Sequence, residues 1–287
     1  MEGVFIQTLV SGLLIGFLYA LIAVGLTMIF GMMDIVNFAH GDYLMVAMYF
    51  SFWFFALFGM DPLYSLPAVT LILFGLGILT YYLLIKPIIN APMLSQIFVT
   101  FGVLIFLRGL ATFLWKVDYR MIPQTVLSGN IQLGDVYIGI PQLTAAAGAI
   151  ICNGLVLWFL KKTRLGMALE AVAEDKEAAR LMGINSDRMF ALAWGIGIAT
   201  VGVAGALLTS FYYVFPEVGA NFGLIAFVVV ALGGFGSVPG AFAAGIIVGL
   251  VEVLSGFLIG PQFKFMFVLI LYLAVVFIRP QGLLGKK

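Results

Sequence analysis

Residues 4–30 read VFIQTLVSGLLIGFLYALIAVGLTMIF, a run of 27 residues with no charged side chain and no proline. About 20 apolar residues are enough for a helix to cross the roughly 30 Å hydrocarbon layer of a bilayer, so this run is long enough to be a membrane span. Similar runs recur at about 36–58, 64–85, 94–115, 141–160, 189–215, 222–238, 240–259 and 263–278. They are too long for strands. The expected fold is therefore an all-α integral membrane protein, a polytopic helical bundle of about eight or nine transmembrane segments. The stretch 222–238 is the weakest of them, because it runs into Gly233-Gly234-Phe235-Gly236-Ser237-Val238-Pro239-Gly240, which is poor helix material. A short span and a re-entrant segment near 222–240, sheltered by other helices, both fit it.

Composition agrees with this reading. Of 287 residues, 63% are hydrophobic and 9% charged, with a mean hydropathy of +1.18. A soluble domain carries roughly a quarter charged residues, so this chain lacks the polar surface to cover a water-facing globule. Once the spans are placed, no room is left for a separate soluble domain, and residues 1–287 are expected to form a single transmembrane domain. The formal charge is +1, with the basic residues in a few loops, which gives no footprint for nucleic acid. One cysteine, Cys152, and one histidine, His40, exclude an intrachain disulfide and leave little for a metal or nucleophile constellation. No cofactor, metal or catalytic residue is expected. Met1-Glu2-Gly3 places no basic residue before the first apolar run, so that run does not read as a cleaved signal.

With nine crossings, Lys86, Lys161, Lys162, Arg164, Lys176, Arg180, Arg188, Arg279, Lys286 and Lys287 fall on one side. Lys116, Arg120 and Lys264 fall on the other, and Arg108 lies inside a helix. Basic loops favour the cytoplasm, so the N-terminus is expected outside, the C-terminus inside and the 116–140 loop on the outer face. That loop has turn residues and enough alternation to allow a short hairpin without predicting one. Small residues at four-residue spacing, Gly12 and Gly16, Gly202 and Ala206, Gly245 and Gly249, suit close helix packing in lipid.

The exception to this scarcity of charge is the 161–188 segment. From Leu165 to Met182 it is rich in strong helix formers and it stops at Gly183, where a left-handed cap is expected. Glu170, Glu174 and Glu177 precede Arg180, the order that suits the helix dipole. Its small residues Ala171, Ala178 and Ala179 suit docking into a partner's groove, whereas a helix lying on lipid headgroups is the plainer alternative. On the second helix, Asp34, Asn37 and Gly41 follow i, i+3, i+7 spacing and share a face, with His40 beside them and Asp42 facing away from His40. Asn37, His40 and Asp42 either hydrogen-bond between helices or line a translocation path or gate. Arg108 and Glu252 each lie about 10 Å below the outer surface on this topology, and equal depth predicts that they pair. An Arg108 that snorkels outward alone is the alternative.

Four segments resemble a known family. Glu177-Ala178-Ala179, followed by Arg180 and after two more residues by Gly183, resembles the EAA loop of bacterial ABC importer permeases. Gly31-Met32-Met33-Asp34-Ile35-Val36-Asn37-Phe38-Ala39-His40-Gly41-Asp42 resembles the asparagine-phenylalanine-alanine-histidine-glycine segment of LivH-type permeases for branched-chain amino acids. Leu232 to Gly240 and the tail Ile278-Arg279-Pro280-Gln281-Gly282-Leu283-Leu284-Gly285 are similar to that family's glycine-rich segment and C-terminal end. The resemblance implies a permease in the bacterial inner membrane that acts with a related second permease subunit, two ABC ATPase subunits and a periplasmic amino-acid-binding protein. Glu177, Ala178, Ala179, Arg180 and Gly183 would then seat the coupling helix in the ATPase. Independently, the chain has no Gly-x-x-x-x-Gly-Lys-Ser/Thr loop, so Gly233, Gly234, Gly236, Pro239 and Gly240 read as a helix break or close packing rather than a phosphate cradle. An ion-coupled secondary transporter or channel is the competing reading. It calls for carboxylates clustered at the midplane and broken helices in both halves.

Overall fold

The computed structural model describes residues 2–285 other than Gln124 and Asp135. Lys286 and Lys287, two of the basic residues assigned to the cytoplasmic side, lie outside the described residues. In chain order the helices are α1 (Glu2–Met33), α2 (His40–Phe58), α3 (Pro62–Thr80), α4 (Met93–Trp115), α5 (Ile140–Lys162), α6 (Arg164–Glu174), α7 (Lys176–Leu181), α8 (Ser186–Leu208), α9 (Val218–Gly233), α10 (Val238–Leu258) and α11 (Lys264–Ile278). α3 continues through a π turn and a 3-10 turn, so its span runs Pro62–Ile88. Among the described residues, eight helices are long and apolar enough to cross a membrane, and α9 is a shorter apolar helix.

Contacts sort the connections into two ends. At one end Lys86 meets Asp187 at 3.0 Å, and the Leu283 and Leu284 N–H groups donate to the carbonyls of Leu232 and Gly233; α6 and α7 lie at this end too. At the other end the strands β1 (Asn130–Leu133) and β2 (Val136–Gly139) form an antiparallel hairpin. An isolated two-stranded ribbon is marginal. Gln7 on α1 secures this one, its side-chain amide accepting from Tyr137 N and donating to Tyr137 O. Arg120 and Val214 exchange backbone hydrogen bonds at the same end. The described basic residues divide between the loop end and the hairpin end as the sequence divides them.

Two differences from the sequence reading concern breaks in helices. The second helix begins at His40, not near residue 36, and residues 34–37 are not helical. Asp34 has a φ of 54°, and the Asn37 side-chain oxygen accepts from Ala39 N at 3.2 Å, a local bond that competes with a helix. Asp34, Asn37 and Gly41 therefore do not share a helical face. His40 Nε2 donates to the Ile22 carbonyl, eleven residues before the end of α1, which places the start of α2 about 16 Å inside the loop end. The second difference is one of bounds: the segment read at 222–238 as a short span or a re-entrant one is α9, Val218–Gly233. Its 16 residues cover about 24 Å, short of the roughly 30 Å hydrocarbon layer. It begins within the bundle, where Gly219 packs on Gly41, and ends at the loop end, where Gly234 takes a φ of 99°.

α1 and α8 are the most enclosed spans. α1 and α10 cross closely: a Cβ placed on Gly249 would lie 2.4 Å from the Gly16 Cα, and one on Gly245 would lie 2.5 Å from the Ala20 Cα. Such approach is what the small residues at four-residue spacing allow.

Candidate functional site

Among the described residues, two ion pairs with a buried carboxylate join the spans. Arg108 on α4 donates through Nε and Nη2 to Asp42 Oδ1 at 3.2 and 3.1 Å. The Asp42 side chain is almost fully buried, while that of Arg108 is 28% exposed. Glu252 on α10 receives Lys264 Nζ on Oε1 at 2.9 Å and the Tyr19 hydroxyl on Oε2 at 2.5 Å. The expected Arg108–Glu252 pair does not form. Equal depth leaves lateral position free, and α4 packs on α2 whereas α10 packs on α1, α9 and α11. Both residues were rightly expected to need a partner; each found a different one.

His40 and Asn37 sit at the break between α1 and α2, both fully buried. Among the described residues, His40 Nδ1 and Asn37 Nδ2 have no hydrogen-bond partner. Asp42 turns to Arg108 and away from His40, as two-residue spacing on a helix requires.

Two cavities flank α9. The first, of about 320 Å³, is bounded by α1, α9, α10 and α11 and has Tyr19, Glu252 and Lys264 on its wall. The second, of about 480 Å³, lies between α2, α4 and α9 and has Asp42 and Arg108 on its wall. Asn221, Phe222 and Ile225 of α9 face the first, and Ala220, Leu224 and Phe227 face the second. Each cavity is otherwise mainly apolar, with one carboxylate–cation pair. Tyr19 and Lys264 escaped the sequence reading: Tyr19 lies within a continuous apolar run, and Lys264 counts there only as a loop charge. Among the described residues, no three His, Cys, Asp or Glu side chains gather as a metal site would need.

At the loop end, the helix expected from Leu165 to Met182 is two helices. Asp175 leaves the helical region with φ −151° and ψ 104°, and its carboxylate accepts from Glu177 N and Ala178 N at 2.9 Å each. Aspartate is among the strongest N-cap residues, so one carboxylate both ends α6 and starts α7. α6 turns Gly166, Leu169 and Val172 inward. Gly183 takes the left-handed conformation expected of it, with φ 82°. Ala179 is buried, so the small-residue surface is only partly available. The exposed rim is Glu177, Ala178, Arg180, Leu181, Met182 and Gly183, and Leu181 is 89% exposed.

The glycine-rich segment and the tail, far apart in sequence, form one packed corner. A Cβ on Gly233 would lie 2.5 Å from Ala241 N, and one on Gly234 would lie 2.5 Å from Gly285 N. Gly31 at the end of α1 abuts Gly236. Ser237 Oγ caps α10 by accepting from Gly240 N, and Pro239 sits in the first turn, where its missing N–H costs no helical bond.

A family model described as the permease component of the branched-chain amino acid transport system matches residues 8–277. The high-affinity branched-chain amino acid transport system permease protein BraD of Pseudomonas aeruginosa is 34% identical, across 98% of this chain and 96% of its own length. The permease LivH of Escherichia coli K12 is 33% identical, with 98% and 96% covered. A probable LivH of Methanocaldococcus jannaschii is 28% identical, with 93% and 89% covered. In fold, the chain is similar to one in the solved structure of PsaBC from Streptococcus pneumoniae in complex with Fab, with a TM-score of 0.50 and 15% identity over 96% of this chain and 93% of that one. With a family match from residue 8 to residue 277 and relatives a third identical over almost the whole chain, this chain belongs to the permease components of branched-chain amino acid transport systems.

Proposed function

We propose that this chain is the membrane permease subunit of an ABC importer that takes up leucine, isoleucine, valine or related small substrates. It works with two ABC ATPase subunits, a related second permease subunit and a periplasmic amino-acid-binding protein. It sits in the bacterial inner membrane with α6 and α7 in the cytoplasm, the hairpin outside, the N-terminus outside and the C-terminus inside. The single transmembrane domain carries its coupling segment at 161–188.

The observation that supports this most directly is the capped α6–α7 corner. Glu177, Ala178, Arg180 and Gly183, with the apolar tip Leu181 and Met182, stand out from the bundle as a surface for an ATPase cleft, while Ala179 ties α7 back to the bundle. Movement of that corner is passed through α6 to α1, α5 and α8, on which it packs. Asn37 and His40 at the broken entry to α2, with the Asp42–Arg108 pair beyond them, form the polar part of the path or gate. The ion-coupled alternative is weaker, because Asp42 and Glu252, the buried carboxylates within the spans, are already paired to cations.

The test is co-purification of the partner ATPases with the full complex. Leu181→Asp combined with Met182→Asp should strip the ATPases and abolish leucine uptake, while the chain inserts normally. Full ATPase stoichiometry in that variant would sink the docking role.

A further inference from the structure

The cavity of about 320 Å³ sits toward the hairpin end, where the substrate would arrive if α6 and α7 face the cytoplasm. Its volume lies at the lower end of the roughly 300–1,000 Å³ of small-molecule pockets, room for one small solute. Ser11, Gln142, Tyr212 and Asn221 add uncharged polar groups to its wall, and its two charged groups are adjacent. Glu252 and Lys264 stand side by side, with Lys264 Nζ 2.9 Å from Glu252 Oε1, and Ile15, Leu18, Phe222 and Ile225 supply apolar surface.

This is an expensive way to fasten two helices. The Glu252 carboxylate is buried, and its desolvation is offset only in part by a partly exposed lysine, so its place beside a cavity calls for a use. Two features fit the pair to a ligand. The Tyr19 hydroxyl already holds Glu252 through Oε2, so the carboxylate stays anchored if Lys264 turns away. Lys264 carries its charge on a flexible four-carbon stem and is 39% exposed, so its ammonium can swing to another anion. A fixed acceptor, a movable cation and an adjoining apolar wall are the complement of a zwitterion with an aliphatic side chain.

We propose that this cavity is a binding site for an α-amino acid on its way through the permease. Glu252 Oε1 accepts from the substrate's α-ammonium, Lys264 Nζ donates to its α-carboxylate, and Ile15, Leu18, Phe222 and Ile225 enclose its side chain. The empty-state pair opens to admit the zwitterion, so no charge is left unpaired at either stage. The proposal rests on the amino-acid importer reading and adds selection within the membrane to whatever the binding protein selects.

The experiment uses the whole importer in proteoliposomes, with Cys152→Ser and a reporter, Ser11→Cys, on the cavity wall. Leucine at about ten times its dissociation constant should slow maleimide labelling of the reporter by roughly tenfold, the factor by which occupancy lowers the free site. 3-Methylbutylamine and 4-methylpentanoate, which lack the carboxylate and the ammonium respectively, should not protect. Glu252→Gln with Lys264→Met removes both charges with little change in side-chain size. It should lose protection and leucine uptake while the complex assembles and hydrolyses ATP. Wild-type uptake by the doubly neutral variant would overturn the site. So would unprotected labelling of Ser11→Cys in an importer that carries leucine. An importer that carries no branched-chain amino acid would instead overturn the substrate reading, and the site with it; wild-type uptake tells the two failures apart.

Discussion

Asp42 is the residue whose role is most plainly set by its partner. Its carboxylate is buried between α2 and α4 and is met by Arg108 through two nitrogens, so Arg108→Ala would leave it unpaired. Breaking a buried pair in this way costs about 3–5 kcal/mol. Thermal unfolding of the detergent-solubilised protein should show that loss for Arg108→Ala and should recover much of it when Asp42→Asn is added. The same measurement should find Arg108→Ala and Glu252→Gln additive to within about 0.5 kcal/mol, because they share no partner. A strong coupling between those two would revive the pairing that depth alone suggested. The sequence marked Arg108, Glu252, Asp42 and His40 because charge inside a span is costly. It did not reveal who pairs with whom, since that depends on which helices are neighbours, and one-dimensional depth carries no such information.

Among the elements, the small-residue spacing on α1 and α10 marked each for close packing, though not that the two pack on each other. Gly249 meets Gly16 backbone to backbone, and Gly249→Val should force the two helices apart. Overpacking of this kind costs about 1–3 kcal/mol, and the folded yield from membranes, read by size-exclusion profile, should fall accordingly. An unchanged profile would mean the crossing is looser than drawn. The coupling segment was read as one helix because Ala, Leu, Met and Glu dominate it. The break at Asp175 was available in the sequence, a strong capping residue in the middle of a helical run, but propensity summed over the window outweighed one residue. The late start of α2 was harder to see, for Asp34 to Ala39 contains no proline and no glycine to signal a break.

For the molecule as a whole, the charge count divides the connections between two ends. Lys86, Arg164, Lys176, Arg188 and Arg279 gather at the end that carries α6 and α7, and Arg120 and Lys264 at the end that carries the hairpin. With Cys152→Ser as background, a membrane-impermeant maleimide should label Ser128→Cys from the periplasm of intact cells. It should label Met182→Cys only after the inner membrane is opened. The reverse pattern would invert the assignment. The cavities, by contrast, were not legible at all, because each is made of residues from at least three helices and exists only once the bundle is assembled.

The corner where Gly282 and Gly285 meet Gly234 also has a bearing on how the protein is made. α9 is synthesised about fifty residues before the tail whose Leu283 and Leu284 amides fasten its end. Throughout insertion of α10 and α11 the partition between the two cavities therefore has one loose end, and both chambers acquire their final walls only after the tail has emerged and folded back.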